Sequence, residues 1–409
     1  MKGSAFGFAV LFAALVALVS YPTFFAQSFS LIAKPLTENQ VFDAETIGYV
    51  SAAYMFASAI VQIPAGIAFD RYRPGRILAL AALICSLGAI LIGVSQTLTI
   101  ATIGRLMMGV GAALTFLGSL KILTLISSKR RFTLATGGWQ LTYRGLVTVL
   151  VAVVAGLDFD AIWRHMMISF GIVGLILSVV AWICDGLVPK QLEGADQSEP
   201  FLRSLRRVLE NRDVLLAGIF FGLTFGSMLS YAYLWVVPSL RTWGDSEIES
   251  VLIGGMVPIG FGIGAVLLGL AIDRWGRPRR SAALFVLVGL IAMTAMLTPF
   301  HMPQWLVYSL AFMIGFGASA SMVALSHVRI FVPTANIGTA IGVVTTIGYL
   351  FGTVLQSGSG LLLEAIGSGG LSNVDYNEGL SPLIQCFALA LLLLATFKPW
   401  PKSVETQKP

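Results

Sequence analysis

The chain has 409 residues, of which 56% are hydrophobic and 11% charged, and its mean hydropathy is +0.85. Soluble globular domains carry about 25% charged residues, which excludes a water-soluble enzyme of this size. The net charge of +6 resides mainly in loops and reports membrane topology, so nucleic acid is not an expected partner.

Apolar runs of twenty residues and more are unbroken, whereas the strands of a membrane barrel alternate over about ten residues. The first run, Ala5 to Ala33 behind a lone Lys2, is too long for a secretion signal and lacks a small-residue cleavage site, so it reads as the first span. Further spans fall near 46–69, 77–95, 98–127, 133–157 and 163–186. A polar stretch from Leu187 to Asp213 follows, then spans near 214–238, 248–272, 281–299, 304–328, 336–362 and 381–398. The pattern predicts an all-α polytopic membrane protein with twelve transmembrane helices. Residues 1–186 form an N-terminal six-helix bundle, 187–213 a cytoplasmic central loop, 214–398 a C-terminal six-helix bundle and 399–409 a cytoplasmic tail. Pro22, Pro238 and Pro258 are expected to kink their spans. Cys85, Cys184 and Cys386 all fall in apolar runs without a pairing pattern and read as small buried residues, not as disulfide or zinc ligands.

Of the 26 lysines and arginines, 20 lie on one face: Lys2, Arg71, Arg73, Arg76, Lys129, Arg130, Arg131, Lys190, Arg203, Arg206, Arg207, Arg212, Arg274, Arg277, Arg279, Arg280, Arg329, Lys398, Lys402 and Lys408. Only Lys34, Arg164 and Arg241 lie on the other. The positive-inside rule makes the first face cytoplasmic, with both termini on it.

The two halves repeat. Gly66-Ile-Ala-Phe-Asp70-Arg71 recurs as Gly269-Leu-Ala-Ile-Asp273-Arg274, and Gly109-Val-Gly111-Ala-Ala as Gly315-Phe-Gly317-Ala-Ser, at offsets of 203 and 206. Aligning Gly109 with Gly315 sets Lys121 against His327. Tyr21, Phe24 and Phe25 of the first span similarly answer to Tyr231, Tyr233 and Trp235 of the seventh.

A charge at the bilayer centre costs at least about 2.5–3.5 kcal/mol, so each needs a reason. The interior charges are all cationic: Arg105, Lys121 and Arg144. Arg144 lies eleven residues into the fifth span, about 16 Å of helix rise from its start. Gln140, one turn earlier, shares its face, and together they offer a cation and an amide to one polar partner. Two readings stand: an anion-binding or gating site, or an interhelical bond to backbone carbonyls. Lys121 is close enough to the span end, about 12 Å of rise from Lys129, for its side chain to snorkel. His327 is a candidate proton site because a neutral histidine titrates near physiological pH; the alternative is that both are interfacial basic residues.

The chain resembles the major facilitator superfamily of secondary transporters over essentially its whole length. The family's loop motif resembles Gly66, Asp70, Arg71, Arg73 and Arg76, although this copy has an extra Arg73-Pro74 before Gly75. The second copy, Gly269, Asp273, Arg274, Gly276, Arg277 and Arg279, is closer to the pattern. The family's fourth-helix motif resembles Arg105-Leu-Met-Met-Gly109-Val-Gly111. The resemblance implies that Gly66, Asp70, Arg71 and Arg76, with Gly269, Asp273, Arg274 and Arg277, gate the cytoplasmic side. Asp70 would be drawn to the amino terminus of span eleven and Asp273 to that of span five, where the helix dipole is positive. It also implies that spans one, four, seven and ten line the central cavity. Arg105 then acts in coupling or in that cavity, or packs on a carbonyl.

The candidate substrate-binding residues are therefore Arg144, Gln140, Tyr21, Phe25, Tyr231, Tyr233 and Lys121, with Arg105 and His327 as candidate coupling residues. The aromatic positions have a competing reading as an interfacial belt. Several signatures are absent: the Gly-Pro pair of antiporters in the fifth span, the glycine- and asparagine-rich runs of nitrate carriers, and the first- and seventh-helix arginines of organophosphate exchangers. No Gly-Lys-Ser/Thr phosphate loop and no nucleophile with a paired base is found, so neither ATP-driven transport nor enzymatic activity is expected. The expected function is alternating-access transport of a small organic anion, by import (symport) or exchange. The alternative is efflux of amphipathic compounds such as drugs or siderophores. Expected partners are the substrate, a proton or another coupling ion, and the lipid bilayer of a bacterial inner membrane, with the chain monomeric and without a cofactor.

Overall fold

The computed structural model describes residues 5–28, 44–127, 132–155, 159–187, 201–244, 247–298, 302–333, 336–366 and 373–398. The basic residues Lys2, Lys34, Lys129, Arg130, Arg131, Lys190, Lys402 and Lys408 lie outside the described residues, as does the tail 399–409.

The first half holds six long helices: α1 (Ala5–Gln27), α2 (Ala44–Arg71), α3 (Pro74–Gly93), α4 (Leu98–Ile126), α5 (Phe132–Ala155) and α6 (Phe159–Cys184). After a linker come α7 (Arg212–Arg241), α8 (Glu247–Trp275), α9 (Pro278–Met296), α10 (Gln304–Phe331), α11 (Ile337–Ile366) and α12 (Asn373–Thr396). Among the described residues eleven of these are long and apolar enough to cross a membrane. The twelfth, α5, has 24 residues, about 36 Å at 1.5 Å per residue, and is long enough. Its apolar character is diluted by Thr133, Thr136, Gln140, Thr142 and Arg144, and Gln140 and Arg144 belong to the candidate site. Apolar side chains such as Ile172, Ile176, Val179 and Ile183 on α6, and Val149 and Val153 on α5, are exposed. Such continuous apolar surface suits lipid and not water.

Two elements differ from the sequence reading. The expected polar loop 187–213 contains a short helix, Phe201–Leu209, whose Phe201, Leu205 and Val208 fall at helical spacing while Arg203, Arg206 and Arg207 are its charged members. Its mean polarity hides it from a search for membrane spans. The last span begins at Asn373 and not near 381, because Asp375, Asn377 and Glu378 lower its hydropathy without preventing helix formation.

The chain forms two compact units. Unit 1 comprises residues Met1–Ile126, Leu146–Val208 and Pro333–Gly342, and unit 2 Ser127–Gly145, Leu209–Val332 and Val343–Pro409. Each unit thus includes a segment from the other sequence half: the start of α11 in unit 1, the first half of α5 in unit 2. Inside unit 1, α3 packs on α4 and α6, and α2 on α4. Inside unit 2, α9 packs on α10 and α12, and α8 on α10. The two sets of pairings are the same, six helices apart, so the sequence repeat is a repeat of packing.

The repeated glycines explain why. A Cβ at Gly109 would stand 2.3 Å from the Tyr54 carbonyl oxygen on α2, and one at Gly315 would stand 1.8 Å from the Val257 oxygen on α8. Backbones this close admit no side chain. In lipid, where no hydrophobic drive joins helices, such small-residue contacts supply the packing energy.

Candidate functional site

Arg144 is 2% exposed and Gln140 fully buried, although both are polar and lie midway along a membrane helix. The guanidinium Nε donates to Gln140 Oε1 at 3.0 Å, the i, i+4 contact that the spacing predicts. Tyr143 donates to the same oxygen, and Gln140 Nε2 points to Met322 Sδ on α10 at 3.9 Å. Arg144 Nη1 donates to the Tyr233 hydroxyl at 3.5 Å. The guanidinium carbon lies 4.7 Å from the Phe261 ring centre, 5.2 Å from that of Tyr143 and 5.9 Å from that of Phe225. Tyr349 extends this wall, its ring 6.0 Å from that of Phe225.

The cation is therefore held by π faces, phenol hydroxyls and one amide, and no carboxylate pairs with it among the described residues. Cation–π contacts are worth about 2 kcal/mol when desolvated, too little to neutralise a buried charge.

Two of these groups depend on an irregularity of which the sequence offers only the kink expected at Pro238. α7 is interrupted by two π-helical segments, Gly222–Gly226 and Tyr231–Trp235. Phe225 sits in the first and Tyr233 in the second. Pro238 follows three residues after the second, lacks an N–H and crowds the carbonyl one turn earlier, which widens the preceding turn. Tyr231, also a candidate, is buried in the same segment, but it is Tyr233 that reaches the guanidinium.

The remaining candidates lie elsewhere. Tyr21 and Phe25 pack on each other at 5.2 Å in the core of unit 1 with Phe24 and Phe170, and the Tyr21 hydroxyl faces Ser86 Oγ at 3.5 Å. Arg105 is 2% exposed; its Nη1 donates to the Phe25 carbonyl at 3.2 Å and its guanidinium lies 4.8 Å from the Tyr54 ring centre. That carbonyl is in the last turn of α1, where no helical N–H remains to meet it.

Lys121 pairs with Asp70 at 2.5 Å, both buried. The Asp70 carboxylate also accepts from the N–H of Gly338 at 2.9 Å, the N–H of Thr339 at 2.8 Å and the Thr339 hydroxyl at 2.8 Å. These donors form the first turn of α11, where amides lack helical partners and the dipole is positive. Gly66 permits the approach: a Cβ there would stand 2.5 Å from the Gly338 oxygen. Gly269 occupies the matching place, where a Cβ would stand 2.7 Å from Leu134 Cα at the start of α5. Arg73, the residue inserted into the first loop motif, binds Asp185 at the end of α6 through both the carboxylate (2.9 Å) and the backbone carbonyl (2.9 Å). Arg76 joins it at 3.8 Å and stacks over Trp182. Arg274 and Arg277 are exposed, and Arg71 partly so.

His327 Nε2 lies 3.5 Å from Asp213 Oδ1, whose other oxygen pairs with Lys398 at 2.6 Å. Its ring packs on Phe331 and Phe397. Lys121 and His327 are thus matched in the repeat and both face a carboxylate, but the carboxylates, Asp70 and Asp213, are not themselves repeat equivalents. Arg329, which the sequence marks only as a loop cation, donates to the Ser127 carbonyl at 2.6 Å and lies over Phe132. The parts played by Tyr143, Phe225, Phe261, Asp185 and Arg329 are not visible in the sequence.

The sequence model of the Major Facilitator Superfamily matches residues 4–355. The chain belongs to this superfamily. It is 26% identical over 390 residues to a probable 4-methylmuconolactone transporter of Cupriavidus pinatubonensis, covering 92% of this chain and 86% of the relative. Its fold matches that of the proton:xylose symporter XylE with a TM-score of 0.74 at 16% identity, covering 98% and 97% of the two chains. It also matches the Escherichia coli fucose:proton symporter FucP with a TM-score of 0.68 at 17% identity, covering 94% and 97%. The protein is accordingly a multi-pass membrane transporter on the twelve-helix superfamily fold, and not an enzyme.

Proposed function

We propose that this superfamily member transports a small organic anion by alternating access, with Arg144 as the group that receives the substrate's negative charge. The observation that carries the reading is a guanidinium buried in unit 2 without a carboxylate partner among the described residues. Burying an isolated cation is costly enough that proteins pair it or let it go neutral, and arginine does not readily lose its proton. A bound carboxylate would complete the pairing, with the Tyr143 and Tyr233 hydroxyls beside it and the rings of Phe225 and Phe261 against its apolar body. The named relative supports this choice, since a muconolactone is a small ring ester with a carboxymethyl arm.

In this proposal the contacts of Asp70 with the first turn of α11 form part of the cytoplasmic gate, and His327 with Asp213 is the candidate proton site for symport. Both neighbours named above are proton symporters, which fits that coupling. The chain would reside in a bacterial inner membrane.

The test is thermal stability of the detergent-purified protein against a panel of anionic, neutral and cationic metabolites, with Arg144→Gln and Arg144→Lys alongside. A ligand at 100 times its Kd adds about 2.7 kcal/mol of apparent stability. The expected result is stabilisation by a carboxylate that disappears in Arg144→Gln and is partly kept in Arg144→Lys. Stabilisation by amphipathic cations, unchanged in both variants, would replace this reading with efflux.

A further inference from the structure

A cavity of 530 Å³ at the junction of α8 and α9 is lined by Trp275, Arg277, Arg280, Ser281 and Leu284. α8 ends at Trp275 and α9 begins at Pro278, with Gly276 turning the chain at φ +61°, a conformation glycine adopts without strain. Both helices are long and apolar enough to cross a membrane, so the cavity lies at a span end, where hydrocarbon gives way to headgroups.

Its wall changes character along that axis. Leu284 is 50% exposed although it lies six residues into α9, about 9 Å along the helix; an apolar side chain exposed at that depth faces acyl chains. Trp275, 58% exposed, has the size and placement of an interfacial anchor. At the outer end stand two exposed guanidinium groups, Arg277 and Arg280, and neither pairs with a carboxylate among the described residues. Ser281 is the decisive group. It is 2% exposed, lines the cavity, and its buried Oγ has no hydrogen-bond partner. Buried hydroxyls are usually paired, and this one, on the cavity wall, is left to donate to an acceptor placed there. The first turn of α9 adds its partial positive charge.

We propose that this cavity is a binding site for an anionic phospholipid. The phosphate lies between Arg277 and Arg280 and accepts the Ser281 hydroxyl, while the glycerol and acyl chains run along Trp275 and Leu284. Basic recesses at span ends attract acidic headgroups, and guanidinium groups suit phosphate oxygens in pairs. The proposal rests on the membrane fold alone and is independent of the substrate carried at Arg144.

The experiment is native mass spectrometry of the full-length protein released from detergent micelles doped with phosphatidylglycerol or phosphatidylcholine at equal mole fraction. One retained phosphatidylglycerol is expected, favoured at least tenfold over phosphatidylcholine. Arg277→Gln/Arg280→Gln should reduce retention at least tenfold, and Ser281→Ala about threefold. Arg280→Gln alone, at an exposed position that folding does not need, should reduce it about threefold if the double variant is unstable. A third arm adds millimolar inorganic phosphate, which should leave the lipid bound. Equal retention of the two lipids, retention unchanged in Arg280→Gln, or complete displacement by inorganic phosphate would each overturn the lipid assignment.

Discussion

Lys121 and Arg144 show two ways of keeping a cation inside a membrane protein. Lys121 has a carboxylate at 2.5 Å and needs nothing more, whereas Arg144 has rings, hydroxyls and an amide and, among the described residues, lacks a formal counter-charge. The difference separates a cation paired within the protein from one that, in the proposal above, is left for a ligand. Removing one member of a buried ion pair costs about 3–5 kcal/mol because the other charge is left uncompensated. Lys121→Met should therefore lower the melting temperature in detergent substantially, and Asp70→Asn combined with it should restore part of the loss. A Lys121→Met protein that melts like the wild type would show that the pair contributes nothing. Arg105 is a third case, since it serves a backbone carbonyl at a helix end, so Arg105→Met should act on the position of α1 more than on charge.

At the scale of elements, α7 is where structure departs furthest from pattern. Residues 231 and 233 are about 200° apart on an ideal helix, so the two tyrosines cannot share a face, and periodicity alone gives no way to choose between them. The π segment supplies the choice by shifting the register. Pro238→Ala restores an N–H and removes the crowding that widens the turn. We expect it to leave helix content unchanged by circular dichroism while weakening ligand stabilisation about tenfold, because Tyr233 moves off the guanidinium. Undiminished ligand stabilisation would count against the π segment as a positioning device. The pairing of Gln140 with Arg144 was readable in advance because four residues make one turn. The ring wall was not, since Phe225 and Phe261 are ordinary apolar residues until packing brings them to one cation. The linker helix and the polar start of α12 escaped for a related reason: hydropathy reports contact with lipid, and helices also form without it.

At the scale of the molecule, the fold was legible because duplication leaves its mark twice, in the glycines and in the charges. Gly109 and Gly315 recur because each closes one helix pair, and the same helix pairings appear in both units. Charge asymmetry predicts an orientation, with twenty basic residues on the expected cytoplasmic face against three on the other. Fluorescent-protein fusions at Met1 and at Pro409, and one inserted after Gly194, should all fold and fluoresce, whereas one inserted after Trp243 should be exported and stay dark. A bright fusion at Trp243 would reverse the orientation.

Asp70 holds a wider consequence. Its carboxylate takes three hydrogen bonds from the beginning of α11 and one ion pair from α4, and the two sets of donors come from distant parts of the chain. If the α11 donors withdraw, the lysine stays, and the aspartate exchanges amides for water without ever standing as a bare ion in a low-dielectric site. In the gate proposed above, opening would then cost the difference between hydrogen bonds to protein and hydrogen bonds to water, about 1.5–3 kcal/mol each where the acceptor is charged, rather than the desolvation of a charge. A carrier working by the proposed alternating access would pass between conformers of similar free energy, and a retained counter-ion is one way to keep the step between them shallow.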